Sequence, residues 1–119
     1  MTTTHANSAA EALKRVETLC MMAGLDLSVR AIREQIGSSV HVVVQKTRFS
    51  DGSRRVTCIT EVNGLDEGGD LVLQDIFRFN HTGVDHSGRS LGLHEPTGYV
   101  PSFLDDFVNR GLMTEGLFL

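Results

Sequence analysis

The chain has no tryptophan, one tyrosine and an aromatic content of 6%, too little to build a stacking platform for single-stranded nucleic acid. It lacks any apolar run of about 18 residues, so no segment reads as membrane-spanning. Its threonine-rich start has none of the basic-then-apolar pattern of a secretory leader, which makes the cytoplasm the expected location. Positive charge is in deficit: 11 Lys and Arg against 15 Asp and Glu give a formal −4, which argues against broad, phosphate-driven binding of nucleic acid. The only cysteines, Cys20 and Cys58, lack metal-type CxxC spacing. Their apolar surroundings read as two buried thiols of a reducing compartment. No Gly-x-x-x-x-Gly-Lys-Ser/Thr occurs, so the sequence has no loop whose amides and lysine hold nucleotide phosphates.

What is present suits one soluble α+β domain over residues 1–119, with 40% hydrophobic and 22% charged residues. Ser8-Ala9-Ala10-Glu11 is a capping box, in which the Ser8 hydroxyl accepts an N–H of the first turn and Glu11 reaches back to the cap. Leu13, Val16, Cys20 and Ala23 then form an apolar helical stripe. Gly24 ends that helix, and Leu25 anchors the stop. A second helix is capped by Asp26 or Ser28 and presents Val29, Ile32, Ile36 and Val40 on one face. Gly37-Ser38-Ser39 is expected to fray its end.

The period then changes. His41 to Phe49 is rich in β-branched residues and reads as a strand. Ser50-Asp51-Gly52-Ser53 is a turn. Arg54 to Val62 forms the return strand, with Val56, Cys58, Thr60 and Val62 sharing a face. Asn63-Gly64 and Gly68-Gly69 bracket the next turn, and Leu71 to Phe79 is a third strand. The expectation is a three-stranded antiparallel meander, an irregular arm over 80–100, and a last helix with Pro101 in its first turn. In that helix Phe103, Leu104, Phe107 and Val108 form an apolar face, and Gly111 ends it. Helices would cover the small sheet.

Eight segments, in order, carry a resemblance. They are Thr3-Thr4-His5-Ala6-Asn7-Ser8, Met22-Ala23-Gly24-Leu25-Asp26-Leu27, Arg30 to Ile36, Asp51 to Val56, Ile59 to Val62, Leu73 to Phe77, Thr82 to Asp85, and Pro101 to Leu104. Together they resemble the C-terminal end of the ATPases that drive tight-adherence (Flp-type) pilus assembly, in the type II/type IV secretion ATPase superfamily. The first segment is similar to that superfamily's histidine box. The family's box follows its phosphate loop and metal-binding acidic segment, whereas here it opens the sequence. The resulting expectation is a C-terminal portion of a RecA-like P-loop NTPase domain that does not hydrolyse ATP alone.

The resemblance implies that His5, with Thr4, lies near the terminal phosphate of ATP in the parent enzyme, where Mg²⁺ is also bound. It further implies a hexamer, contacts with the N-terminal part of the ATPase and with neighbouring subunits, and docking on inner-membrane platform proteins without insertion. Read on its own, His5 is a flexible terminal side chain. Arg30, Arg33, Arg54 and Arg55 are candidates for a subunit interface, because guanidinium forks bind carboxylates and phosphates bidentately. Their alternatives are a solvated basic surface with ordinary ion pairs and, for Arg54 or Arg55, a nucleotide-facing role.

The remaining polar groups invite weaker readings. His81, His86 and His94 with Asp85 and Glu95 match no zinc spacing and read as a mobile polar arm, so no metal is expected. Glu61 and Asp75 are taken as structural carboxylates at strand ends. Phe77, Phe79, Phe103 and Phe107 are assigned to the core. From a different functional class stands a non-catalytic interaction or regulatory module with the same fold, and a small metal-binding protein using the arm histidines ranks behind both.

Overall fold

The computed structural model describes residues 1–24, 26–112 and 115–118. Three α-helices and one four-stranded antiparallel sheet of order β1-β2-β3-β4 make an α+β fold among these residues. The elements are α1 (Ala9–Met22), α2 (Val29–Ser39), β1 (Val42–Arg48), β2 (Arg54–Leu65), β3 (Leu71–Val84), β4 (Ser90–Pro96) and α3 (Leu104–Asn109), followed by a 3₁₀ turn (Glu115–Phe118). Among the described residues no helix is long and apolar enough to cross a membrane. The chain divides into two compact units, a helix unit (Met1–Gln45 with Thr60–Gln74) and a hairpin unit (Lys46–Ile59 with Asp75–Leu119).

In the helix unit, Ser8 caps α1 by accepting from Glu11 N–H at 3.1 Å, as the sequence leads one to expect. The Glu11 carboxylate accepts from Asn7 N–H at 3.3 Å rather than from the cap itself. Gly24 ends α1 at φ +75°; the Leu25 anchor lies outside the described residues. Ser28, not Asp26, caps α2 through Ala31 N–H at 3.1 Å. Leu13, Ile32, Ile36 and Val62 form the buried core, with Val16, Cys20, Val40, Val43, Leu71 and Leu73 partly buried around it. Ala23 and Val29 fall off the expected stripes and are exposed, since each sits at a helix end where the face turns away from the core. Gly37 does not fray the helix. It lies inside the last turn of α2, where a Cβ would come within 3.3 Å of Gly64 Cα, so the absent side chain lets helix and strand approach closely.

Three hairpin loops share one build. Phe49, Asp66 and Asp85 each donate their N–H to the carbonyl four residues on, and each carbonyl accepts from a glycine three residues on. Those glycines, Gly52, Gly69 and Gly88, lie at φ +86°, +85° and +86°. This is a type I turn closed by a glycine bulge, in which only the glycine needs positive φ. Asn63-Gly64 is no turn, because β2 continues through it to Leu65.

The arm over 80–100 is a correction. β3 continues to Val84, the chain turns at Asp85–Arg89, and β4 pairs back antiparallel with Phe79 opposite His94 and Asn80 opposite Leu93. The meander therefore has four strands. The pattern hides β4 because its apolar residues, Leu91 and Leu93, are 44% and 63% exposed, while the small Ser90 is 2% exposed. Gly92 is needed where it stands, since a Cβ there would strike the Phe79 ring and come within 2.5 Å of Asn80 O. Ile76, Leu104 and Phe118 form this unit's buried core, edged by Ile59, Phe77, Tyr99, Phe103 and Val108. Pro101 precedes α3 instead of lying in its first turn, and its carbonyl accepts from Leu104 N–H at 3.1 Å. Gly111 closes that helix at φ +72°.

Candidate functional site

Residues 2–8 form a non-helical lead-in to α1, and its backbone is held at two points. Arg15 donates to His5 O at 3.2 Å, and Gln45 Nε2 donates to Ala6 O at 2.8 Å. The terminal segment is thus tied to α1 and to β1 through carbonyls, which leaves the exposed His5 imidazole turned to solvent and Thr4 half-buried. The segment joins the start of α1 through the Ser8 cap and the Asn7–Glu11 hydrogen bond.

The four arginines singled out by sequence behave differently from one another. Arg33 is half-buried and spent within the helix unit: it donates to Glu17 Oε2 at 3.0 Å, to Asp70 Oδ1 at 3.1 Å and to Gly69 O at 3.4 Å. The Glu17 hydrogen bond, helped by the charges of Glu17 and Asp70, raises its pKa further above the usual guanidinium value against the opposing effect of burial. Arg30 pairs with Glu34 one helical turn away at 3.3 Å with both side chains well exposed, a geometry worth little in water. With Glu34, Ser38 and Asp66 it lines a shallow surface depression floored by Gly37 and Gly64.

Arg55 is the pivot of the hairpin unit. It lies 5.6 Å from the Phe49 ring centroid and 5.5 Å from that of Phe79, within cation–π range. It also donates to Ser90 O at 2.6 Å, while Asp51 accepts from Ser90 N–H at 2.7 Å. The Asp51–Arg55 pair, 3.9 Å apart, therefore satisfies both backbone groups of one β4 residue, as a neighbouring strand would. Asp51 also accepts from the Ser53 hydroxyl at 2.6 Å and the Ser53 N–H at 2.8 Å. These donors, the Ser53 hydroxyl first, hold its carboxyl well below the usual carboxylate range. Asp85 repeats the device with the Ser87 hydroxyl and the Arg89 and Ser87 N–H groups, and its pKa is lowered for the same reason. Arg54, by contrast, is exposed and enters no ion pair among the described residues.

The histidines do not share a centre. His94 Nε2 donates to Val56 O at 2.7 Å, which requires the Nε2–H form, and its ring lies 5.1 Å from Phe79. His81 stacks near Phe49 at 5.9 Å, and His86 sits in the exposed β3–β4 loop. Among the described residues no three His, Cys, Asp or Glu side chains gather as a metal site. Asp75 pairs with Arg78 at 2.8 Å inside β3, and Glu61 lies 2% exposed inside β2. Neither is at a strand end, because both strands run further than their hydrophobic pattern suggests. Cys20 and Cys58 are half-buried rather than buried. Of the four phenylalanines, Phe77 and Phe103 edge the core, Phe107 stacks on Phe103 at 5.0 Å, and Phe79 belongs to the Arg55 stack.

The Asp51–Arg55–Ser90 clamp escapes sequence reasoning. Its one signal is the Asp-x-Ser spacing shared by Asp51/Ser53 and Asp85/Ser87, which marks turn carboxylates that collect N–H groups. No family model matches the chain, and no curated protein matches it.

Proposed function

We propose that this chain is the C-terminal segment of a hexameric, RecA-like motor ATPase for pilus assembly or protein secretion, contributing the histidine box and part of the subunit contact. The observation that carries the reading is the run of eight family-like segments in order, headed by Thr3-Thr4-His5-Ala6-Asn7-Ser8. What supports it is the way that segment joins its helix: Ser8 caps α1, and Arg15 and Gln45 hold the carbonyls of His5 and Ala6. A box built this way would pass a change at Thr4 or His5 to α1 rather than dissipate it in a loose terminus.

In this reading the chain does not by itself complete a site for ATP or Mg²⁺. The sequence holds no phosphate loop, and two guanidinium groups suited to a phosphate, on Arg33 and Arg55, are bound within the chain. In the proposed parent the nucleotide would be held by residues outside this sequence, with His5 completing the surroundings of its terminal phosphate. Motion of the parent's subunits would then act on inner-membrane assembly proteins from the cytoplasmic side.

The test is nucleotide turnover by the 119-residue chain and by a longer version that includes a phosphate loop upstream. The expected outcome is no turnover by the chain, turnover by the longer version, and loss of most of it in His5→Ala. Turnover by the chain alone, or an unchanged rate in His5→Ala, overturns the reading.

A further inference from the structure

The hairpin from Lys46 to Ile59 carries four cations and one carboxylate, Asp51. That carboxylate and Arg55 are used on each other and on Ser90, so the basic charge of the hairpin is in excess. Phe49 N–H and Ser53 O close the loop, with β1 ending at Arg48 and β2 starting at Arg54. These two arginines therefore face each other on the first rung beyond it. Like charges opposite one another on a sheet repel. Both side chains are exposed, and neither enters an ion pair among the described residues. Such a rung gains from any partner that supplies two carboxylates at matching spacing, because each guanidinium can bind one bidentately.

The complementary surface occurs in the same sequence. The helix unit carries eight Asp and Glu against four Lys and Arg. Its β2–β3 loop concentrates three carboxylates in Asp66-Glu67-Gly68-Gly69-Asp70. Asp70 is engaged by Arg33, and one oxygen of Asp66 accepts Asp70 N–H at 3.0 Å. Asp66 and Glu67 are both exposed at the tip of the loop. A long polyanion is a poorer occupant than this loop, since it would meet the net negative charge of the rest of the chain.

We propose that Arg48 and Arg54 of one copy bind Asp66 and Glu67 of a second copy. The two patches differ, so the contact either pairs reciprocally across a two-fold axis or repeats head-to-tail into a ring or filament, according to the rotation between neighbours. It rests on the motor reading for the expectation that copies meet at all, and it names the contact between them.

The experiment is sedimentation velocity over a concentration series with the full chain, at low and high salt. The variants are Arg48→Glu with Arg54→Glu, and Asp66→Lys with Glu67→Lys, each checked for folding by circular dichroism. The wild type is expected to self-associate and to weaken at least tenfold on raising the salt. Each reversed variant alone is expected to stay monomeric, and the two mixed in equal amounts to associate again. A wild type that stays monomeric at every concentration overturns the proposal, as does association that neither reversal alters. So does single-stranded DNA or anionic vesicle binding that disappears in the arginine variant while self-association persists. ATP turnover by the longer version, measured in parallel, separates the two ideas: turnover without this contact removes the interface and leaves the motor.

Discussion

In the helix unit, Leu13, Ile32, Ile36 and Val62 are buried beneath two capped helices, and one cross-helix arginine network seals the edge. In the hairpin unit the buried apolar set is Ile76, Leu104 and Phe118. Much of what orders the β1–β2 and β3–β4 loops there is a polar and aromatic web of Asp51, Arg55, Ser90, Phe49, Phe79 and His94. Aliphatic burial is nondirectional and tolerates small displacements. Hydrogen bonds from side chains to a strand's backbone fix direction and register instead. This difference is why the helix unit announces itself in the hydrophobic pattern, whereas in the hairpin unit the β1–β2 hairpin and the last helix are legible and β4 is not. The two units should also fail in different ways.

The largest effect should come from truncating the aliphatic core. Ile32→Ala, at a residue 2% exposed, is expected to lower unfolding free energy by about 2–5 kcal/mol in urea titrations. Ile76→Ala, equally buried, should cost a similar amount. If probes of α1 report both losses equally, the units unfold together; separate transitions would make the contrast sharper.

Gly92→Ala comes next, at about 1–3 kcal/mol, because the new methyl meets Phe79 and Asn80 O and must push strand from strand. Loss of the amide hydrogen-exchange protection of β4 with α1 unchanged is the expected signature. Equal loss in both units would erase the contrast between them.

Asp51→Asn should act through pH. The folded carboxyl titrates below its ordinary value, so its contribution is present above the unfolded value of about 4 and is lost as pH falls from there toward the folded value. Wild-type stability should therefore decline below about pH 4, and the variant should be weaker at neutral pH with a flatter acid limb. An identical acid limb in the two proteins would remove Asp51 from the account. Ser8→Ala, finally, removes a single helix cap and should cost about 1 kcal/mol, seen as fraying of the first turn of α1 and faster exchange at Glu11 N–H.

Much of the helix unit is legible in the sequence. Caps at Ser8 and Ser28, a stop at Gly24 and the Ile32/Ile36 stripe follow from local rules, and local rules suffice where one helix face is buried. The stripes err at Ala23 and Val29, where a helix end leaves the core. The β3 extension and β4 are illegible because β4 reverses the usual code, with leucines outward and Ser90 and Gly92 turned inward or packed beside the Phe79 ring. Of the candidate site, His5 and Thr4 come from resemblance, and Arg54 and Arg55 from residue type. No spacing can separate the two arginines: Arg55 is consumed by Ser90 O and two rings, while its neighbour Arg54 faces Arg48 and solvent.

By itself the sequence determined α1 and α2, the Ser8 cap, the turns at Asp51-Gly52 and Gly68-Gly69 and the excess of acid over base, all of which depend on residue content or on residues within a few positions of one another. The tertiary structure alone decided which polar groups are spent and which are offered. Asp51 and Ser90, distant in sequence, meet only because the hairpins bring them together, and the same folding leaves Arg48 and Arg54 opposed on one rung. Charge is written in the sequence; whether it is neutralised depends on what packing sets beside it.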